Sequence, residues 1–281
     1  MDHFGPLYLL ATTTANMKKS SILFGLLILL LPNLIGQNTN QQKFDALRHS
    51  SDWQEKFQDQ CTEDWQSRWF LDGLRARVDN TKDGMVFSAG PVAGDHACHA
   101  VLWTKEIFRG DVKIEYQYTR TDTRTEWVNI LYIQASGLSP YANDIYTWKD
   151  QRKIPYMKAY FQNMEALHIS YAAYKKNNTD IDKDYVRARK YPVEPGEKFS
   201  TTTEIAPSSF QTGLFQPGET YQITVIKTAN QLHFEVTGKD TTKLFSWELS
   251  DTQTVDVGRI GLRHMYTRSA LYKDFKVYVK E

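Results

Sequence analysis

The chain has 281 residues, 41% of them hydrophobic and 24% charged, with a formal net charge of +1. That is a globular composition, long enough for one large domain or two small ones. Its near-neutral balance argues against nucleic-acid binding, which needs a clustered basic surface. Aromatic residues reach 13%, with seven Trp and sixteen Tyr; they favour strands and also make stacking platforms for sugar rings.

Residues 1–16 read as an over-extended start. Met17-Lys18-Lys19 is then followed by SSILFGLLILLLPNLIGQ. A basic start, a short apolar core and the small Gly36 near its end describe a secretory signal peptide over 17–37. The apolar run is short for a transmembrane helix, which needs about 20 residues. The cleavage zone carries no Cys, which argues against a lipid anchor. The expectation is a periplasmic protein free of the membrane after cleavage, with one domain over 44–281. The two cysteines, Cys61 and Cys98, either pair in that oxidising compartment or stay as buried thiols. No CxxC or HxxxH spacing accompanies them, so no metal site is expected.

From residue 85 onward apolar and polar residues alternate. MVFSAG (85–90), ACHAVLW (97–103), DVKIEYQYT (111–119), WVNILYIQAS (127–136) and ALHISYAAY (166–174) read as strands. So do TYQITVIK (220–227), QLHFEVTG (231–238), KLFSWEL (243–249), RIGLRHM (259–265) and ALYKDFKVYV (270–279). They are rich in Val, Ile, Tyr and Thr and are punctuated by Gly, Pro, Asn and Asp. Many short strands with little helical periodicity predict an all-β fold, a two-sheet antiparallel sandwich or jelly roll. TYQITVIK-TAN-QLHFEV predicts a hairpin with Tyr221, Ile223 and Val225 on the face shared by Leu232, Phe234 and Val236. Two segments break the pattern. Residues 137–165 read as a long loop with one short helix, and residues 175–219 as a longer polar connection with four prolines. Long connections in a compact domain usually shape a binding site.

Strand parity sorts the polar residues. In ALHISYAAY, Leu167, Ile169 and Tyr171 face one side, expected to be the interior, and His168 and Ser170 the other. In RIGLRHM, Ile260 and Leu262 face the core, Arg263 faces outward, and the pattern lapses at His264, where a turn is expected. His99 shares a face with Val101 and Trp103, and His96 with Cys98. The run 263–268 concentrates Arg263, His264, Tyr266 and Arg268, while YVRARKYP adds Arg187, Arg189 and Lys190. A single outward His or a charge run on a strand is more often plain surface; the 263–268 concentration favours a ligand site at the rim of a cleft.

Familiar enzyme signatures are missing. The sequence has no GxSxG elbow, no Walker or dinucleotide glycine loop and no ExDxxE carboxylate set. Paired carboxylates are the usual glycosidase machinery, so a glycoside hydrolase is disfavoured. Arg, His and Tyr fit a different chemistry. Arg neutralises a uronic acid carboxylate through a bidentate pair, and His or an activated Tyr can take the adjacent proton.

Residues 96–118, 166–174, 212–236 and 258–278, above all LHISY and GRIGLRHMYTRSALYKDF, resemble a bacterial family of galectin-like jelly rolls catalogued as a domain of unknown function. Its members are found in polysaccharide-utilisation clusters. The chain also resembles oligosaccharide dehydratases of ulvan breakdown. The resemblance implies a concanavalin A-like sandwich that removes water from a glucuronic or iduronic acid linked to sulfated rhamnose, leaving a 4,5-unsaturated uronyl end. It implies His168 or His264 as base and Tyr171, Tyr174 or Tyr266 as its partner, with parity against Tyr171. Arg263 or Arg268 would hold the carboxylate or sulfate, with His99, Ser170, Tyr174 and Arg187 as further contacts. A monomer without a cofactor is expected, the question of a structural calcium staying open. The rival from another class is a non-catalytic carbohydrate-binding protein, which needs aromatics on the ligand face and no general base. The leader reading has its own test. Secretion into a periplasm should give a mature chain beginning near Gln37, and N-terminal sequencing that found Met17 in place would refute it.

Overall fold

A computed structural model describes residues 39–249 and 255–280, so the signal-peptide reading at 17–37 lies outside the described residues. The chain divides into two units, Met1–Ala46 and Leu47–Glu281. In the first, residues 39–46 are helical. The second carries the strands. In chain order they are β1 (Gln54–Asp59), β2 (Trp69–Asp72), β3 (Arg77–Thr81), β4 (Gly84–Ser88), β5 (Ala100–Thr104), β6 (Phe108–Arg109), β7 (Asp111–Arg120) and β8 (Trp127–Gly137). There follow β9 (Met164–Tyr174), β10 (Tyr185–Tyr191), β11 (Glu204–Phe210), β12 (Thr220–Lys227), β13 (Gln231–Thr237), β14 (Thr242–Glu248), β15 (Val257–His264) and β16 (Ser269–Lys280).

The strands form two antiparallel sheets. The first runs β14-β13-β12-β7-β16-β4-β3, with β1 on β16; the second runs β11-β10-β9-β8-β15-β5-β2, with β6 on β15. The architecture is the all-β jelly roll that the alternation implied. Between the sheets lies an apolar layer. The second sheet supplies Leu102, Leu131, Ile133, Leu167, Ile169 and Leu262, and the first supplies Ile114, Ile223, Val225, Phe234 and Val277. The β12–β13 hairpin pairs Ile223 with Val236 and Val225 with Phe234, all four facing this layer. A period of two with one face buried leaves no freedom of register.

The two long connections carry more structure than their composition suggested. Within 138–163 are a 3-10 segment, Ile145–Arg152, and helix α1, Met157–Asn163. Within 175–219 are β10, helix α2 (Phe199–Thr202) and β11. Strand β10 escapes notice because Arg187 and Arg189 occupy its outward positions; its inward positions are the buried Val186 and Ala188. Strand β11 holds Pro207 and lies at the sheet edge, where a missing backbone N–H is tolerated. Residues His96–Cys98 form a 3-10 turn capped by the Asp95 carboxylate, which accepts from the Ala97 N–H at 2.9 Å, so the strand begins only at Ala100. Cys61 and Cys98 are buried free thiols.

The outer face of the second sheet carries a second apolar layer, because the 138–163 segment folds over it as a roof. Trp103, Ile130, Tyr132 and Tyr191 from the sheet pack with Ile145, Trp148, Ala159 and Tyr160 from the roof. One carboxylate fastens this roof. Asp72, at the end of β2, accepts from Arg152 Nε at 2.6 Å, Trp103 Nε1 at 2.9 Å and the Tyr160 hydroxyl at 2.9 Å. Burial, the larger effect, raises the Asp72 carboxyl above its usual 3.8, and Arg152 offsets part of that rise. With only donors aimed at it, the group stays a carboxylate. Arg152 also donates to the Ile145 carbonyl at 2.8 Å and stacks on Trp148 with its guanidinium 4.1 Å from the ring centre. Removing one partner of a buried ion pair costs about 3–5 kcal/mol. Asp72→Asn should therefore lower the urea unfolding free energy by that amount and open the roof to proteolysis near residues 153–156. A loss below about 1 kcal/mol, the scale of a surface pair, would show that the roof is held by other contacts.

Candidate functional site

The site grows from the outward positions of β9. Residues directly opposite each other in antiparallel strands face the same side with Cβ atoms about 4.5–5.5 Å apart. His168 lies opposite Arg189 of β10 and Tyr132 of β8, and Ser170 opposite Arg187. Tyr132 lies opposite Gly261 of β15, and Gly261 opposite Trp103 of β5. One band of side chains thus crosses the sheet. Gly261 has a defined purpose in it. A Cβ there would stand 2.5 Å from the Trp103 ring, so any other residue would push the indole off the sheet.

The glycine lets Trp103 lie nearly parallel to Tyr132, centroids 5.3 Å apart, and Tyr132 stacks in turn against Tyr160 of the roof at 5.9 Å. The Arg263 guanidinium sits 4.6 Å from the Tyr160 ring centre. His168 packs at 5.0 Å from Tyr191 and 5.8 Å from Tyr132. The Tyr132 and Tyr191 hydroxyls lie near each other and near Arg263 without a well-formed hydrogen bond. Burial holds both phenols above their usual range, so both keep their protons.

Two groups in this patch stand out electrostatically. His168 is 1% exposed, and among the described residues neither ring nitrogen finds a hydrogen-bond partner. Burial first, then the positive charges of Arg189, Arg263 and Arg187, keep its imidazole far below the usual histidine range and hence neutral. Arg263 is fully buried, and Nη2 donates to the Pro155 carbonyl at 2.6 Å while Nε and Nη1 have no partner. The other buried arginines all face carboxylates: Arg120 and Arg268 face Asp122, Arg152 faces Asp72, Arg259 faces Asp144 and Arg189 faces Glu204. Arg263 has no ion pair among the described residues. A buried polar group without a partner costs about 1–3 kcal/mol, more when charged. Gathering several on one patch suits a surface that receives anionic and hydroxyl groups from outside the chain.

A cleft of about 460 Å³ leads to this patch, within the 300–1,000 Å³ typical of small-ligand sites. His168, Ser170 and Arg189 line its floor, and Met157 and Phe161 of the roof, Phe199 of α2 and Tyr174 line its sides. Lys175 and Lys176 also border it. Arg189 is fixed by donating to Thr203 Oγ1 at 2.6 Å and lying 4.6 Å from the Phe199 ring centre. Arg187 donates to Ser208 Oγ at 2.6 Å and pairs with Glu204 at 3.5 Å. No group of three His, Cys, Asp or Glu suited to a metal ion occurs among the described residues.

The expected rim cluster at 263–268 is corrected, because its members part company. Strand β15 runs on through His264 instead of lapsing, so the next inward position is His264 itself. It lies between the sheets, stacked on Phe87 at 4.5 Å, with Nε2 2.8 Å from the Tyr272 hydroxyl. Arg268 is a buried brace: it donates to Asp122 Oδ2 at 2.9 Å and to the Ala172 carbonyl at 2.6 Å. Arg120 joins the same carboxylate and donates to the Tyr174 hydroxyl at 2.8 Å, which steadies the cleft wall. Tyr266 packs 4.0 Å from the His99 ring and 4.7 Å from Trp127. His99 is buried beside Arg263, with both ring nitrogens unpartnered. Tyr171 faces inward, its hydroxyl 3.2 Å from that of Tyr272. Of the residues singled out in the sequence, then, His168, Ser170, Arg187 and Arg263 share one face, Tyr174 borders the cleft while bonded to Arg120, His99 and Tyr266 adjoin the patch, and His264 and Arg268 do not. Tyr132, Tyr191, Tyr160 and Trp103 were missed. Strand β8 is apolar on both faces, so its parity gave Tyr132 no mark.

The Asp122 brace has a pH signature. Burial would raise its carboxyl, but Arg268 and Arg120 outweigh burial and hold it below the usual 3.8. A depressed carboxylate adds stability that is complete above pH 3.8 and is lost as pH falls through the folded value. Asp122→Asn should cost roughly 3 kcal/mol at pH 7, and the gap to wild type should shrink in unfolding curves recorded toward pH 2. A gap that does not change with pH would reject this assignment.

Comparison with known proteins bears on fold and family. Residues 58–277 match the family described as a domain of unknown function, DUF1961. A Bacillus subtilis protein of unknown function with a galectin-like fold superposes with a TM-score of 0.58 at 17% identity, covering 82% of this chain and all of that one. The exoplasmic/lumenal domain of VIP36, in its Ca2+/Man3GlcNAc-bound form, superposes with a TM-score of 0.51 at 10% identity, covering 81% of this chain and 90% of that one. No curated protein matches the chain.

Proposed function

The chain belongs to the DUF1961 family, and on that premise we propose that it takes the uronic acid end of an anionic oligosaccharide into the cleft beneath the roof and removes water from it by β-elimination. The observation that carries this reading is Arg263, the buried arginine without a carboxylate, set beside the neutral, unpartnered His168. A guanidinium in a dry site binds a carboxylate bidentately, and the acidity of the neighbouring C–H rises once that carboxylate is neutralised. Arg263 is fully buried and does not line the cleft, and its Nη2 is bonded to the Pro155 carbonyl, so a carboxylate reaches it only if that roof turn shifts.

The roles then follow from the protonation states. His168 is neutral and can accept the C5 proton. Its basicity is weak while three guanidiniums face it and increases when the ligand's negative charge offsets them. The C5–H bond breaks, its electron pair forms the C4–C5 double bond, and the C4–O bond breaks. The departing oxygen takes a proton from Tyr132 or Tyr191 and leaves as water; imidazolium and phenolate then equilibrate through solvent. Lys175, Lys176 and Arg189 at the cleft suit a sulfated neighbour. Secretion to the periplasm and action as a monomer belong to the same reading.

A non-catalytic carbohydrate-binding role is the second reading. It is supported by the sugar-bound state of the VIP36 domain that shares this fold and by the aromatic side chains of Trp127, Phe161 and Phe199 that line the cleft. One experiment separates the two. Incubation with saturated ulvan oligosaccharides should raise the absorbance of the unsaturated uronate and lower the product mass by one water. His168→Ala should reduce that rate at least 100-fold, the low end of a general base's contribution, while Arg263→Ala should mainly weaken binding. Calorimetric binding without any loss of water would establish the second reading in place of the first.

A further inference from the structure

Beside the cleft lies a second one of about 480 Å³, lined by Thr123, Arg124, Thr125, Asn177 and Thr179 among others, and Trp127 borders both. We infer that Trp127 is a stacking platform between two sugar subsites, so that the protein engages an oligosaccharide along its length and the second cleft takes the sugar units that follow the acidic end. This rests on the reading of the first cleft as a saccharide site.

The local structure around Trp127 is unusual for the start of a strand. Its φ is +70°, a left-handed value uncommon for a bulky residue. The pairing of β8 with β9 slips between Trp127 and Asn129, which makes a bulge there. Bulges re-aim side chains and gather at functional sites, and strained backbone persists only where its surroundings enforce it. Here the Trp127 carbonyl accepts from Arg268 Nη1 at 3.0 Å, and its ring meets Tyr266 edge-on at 4.7 Å. Tyr266 also has positive φ, +42°, and rests on His99 at 4.0 Å. The indole is thereby held in place between the clefts and borders both.

The second cleft is built for hydroxyl groups. Thr125 Oγ1 donates to the Asn178 carbonyl at 2.9 Å and Asn178 Nδ2 returns to the Thr125 carbonyl at 2.8 Å, which locks its two walls together. Arg124 has its backbone N–H bonded to Asp122 Oδ1 at 2.9 Å, while its side chain is exposed and makes no ion pair among the described residues. Glu126, the carboxylate in the cleft, is engaged by the Asn177 N–H. Hydroxyl and amide groups with one free cation beside an aromatic face fit a hydroxylated, anionic sugar chain.

The test is a length series. Calorimetry with sulfated uronic-acid disaccharide and tetrasaccharide should show the wild type binding the tetrasaccharide at least tenfold more tightly. That ratio should fall toward one in Trp127→Ala and in Arg124→Glu, with both variants keeping the wild-type melting temperature within about 2 °C. A wild-type ratio near one, or a tenfold ratio surviving in both variants, would overturn the second subsite while leaving the first cleft's role intact. Failure of the wild type to bind either ligand would overturn the first cleft's role and the second subsite with it.

Discussion

The Asp72 carboxylate governs whether this protein has a site at all. It gathers a guanidinium, an indole and a phenol from three separate stretches of chain into a fully buried space. Two of those donors belong to the roof and one to the sheet. An unpaired charge in such a place would be costly, so the roof closes as a unit with the strand end that carries Asp72. Closure in turn buries His168 and Arg263, and their altered electrostatics follow from that burial. A sandwich with the same sheets and no roof would leave both residues in water, where His168 would lose the burial that does most to keep its imidazole neutral and Arg263 would be one more surface cation.

Charge balance also separates Arg263 from the other buried arginines. Arg120, Arg152, Arg259 and Arg268 each meet an aspartate and stop there. Those pairs bind strand ends and loops, although Arg152 Nη1 and Arg268 Nη2 each remain without a partner among the described residues. Arg263 has instead a stacked phenol, one backbone carbonyl and two idle donors. Its neighbours are a proton acceptor and two phenols that keep their protons. The proposed elimination draws on this combination of a neutral imidazole, two protonated phenols and an unpaired guanidinium in one patch.

The period-two alternation made the sandwich legible, because one buried face per strand is a strong constraint. The same alternation placed His168 and Ser170 opposite Leu167 and Ile169. It failed where both faces are covered. Strands β8 and β10 lie under the roof, so their outward residues are aromatic or cationic and do not read as solvent-facing. The turn expected at His264 was a local inference from a polar residue at a strand end. The structure shows that a histidine fits between sheets when Phe87 and Tyr272 supply a ring to stack on and a hydroxyl to bond. Nothing in one sequence reveals that Asp122 would claim Arg268, since the two are far apart along the chain and meet only in the folded protein.

The roof begins and ends at a single rung of the sheet. Gly137 closes β8, Met164 opens β9, and these two residues are pairing partners. Everything between them is inserted into one hairpin, and the entropic cost of lengthening such a loop grows only slowly. The sheet beneath would keep its register whatever the insertion contained. Relatives could therefore exchange this segment as a cassette, changing what the cleft admits while inheriting the same strands below. Substrate range would then evolve by replacing a lid on an unchanged floor, without redesign of the sandwich.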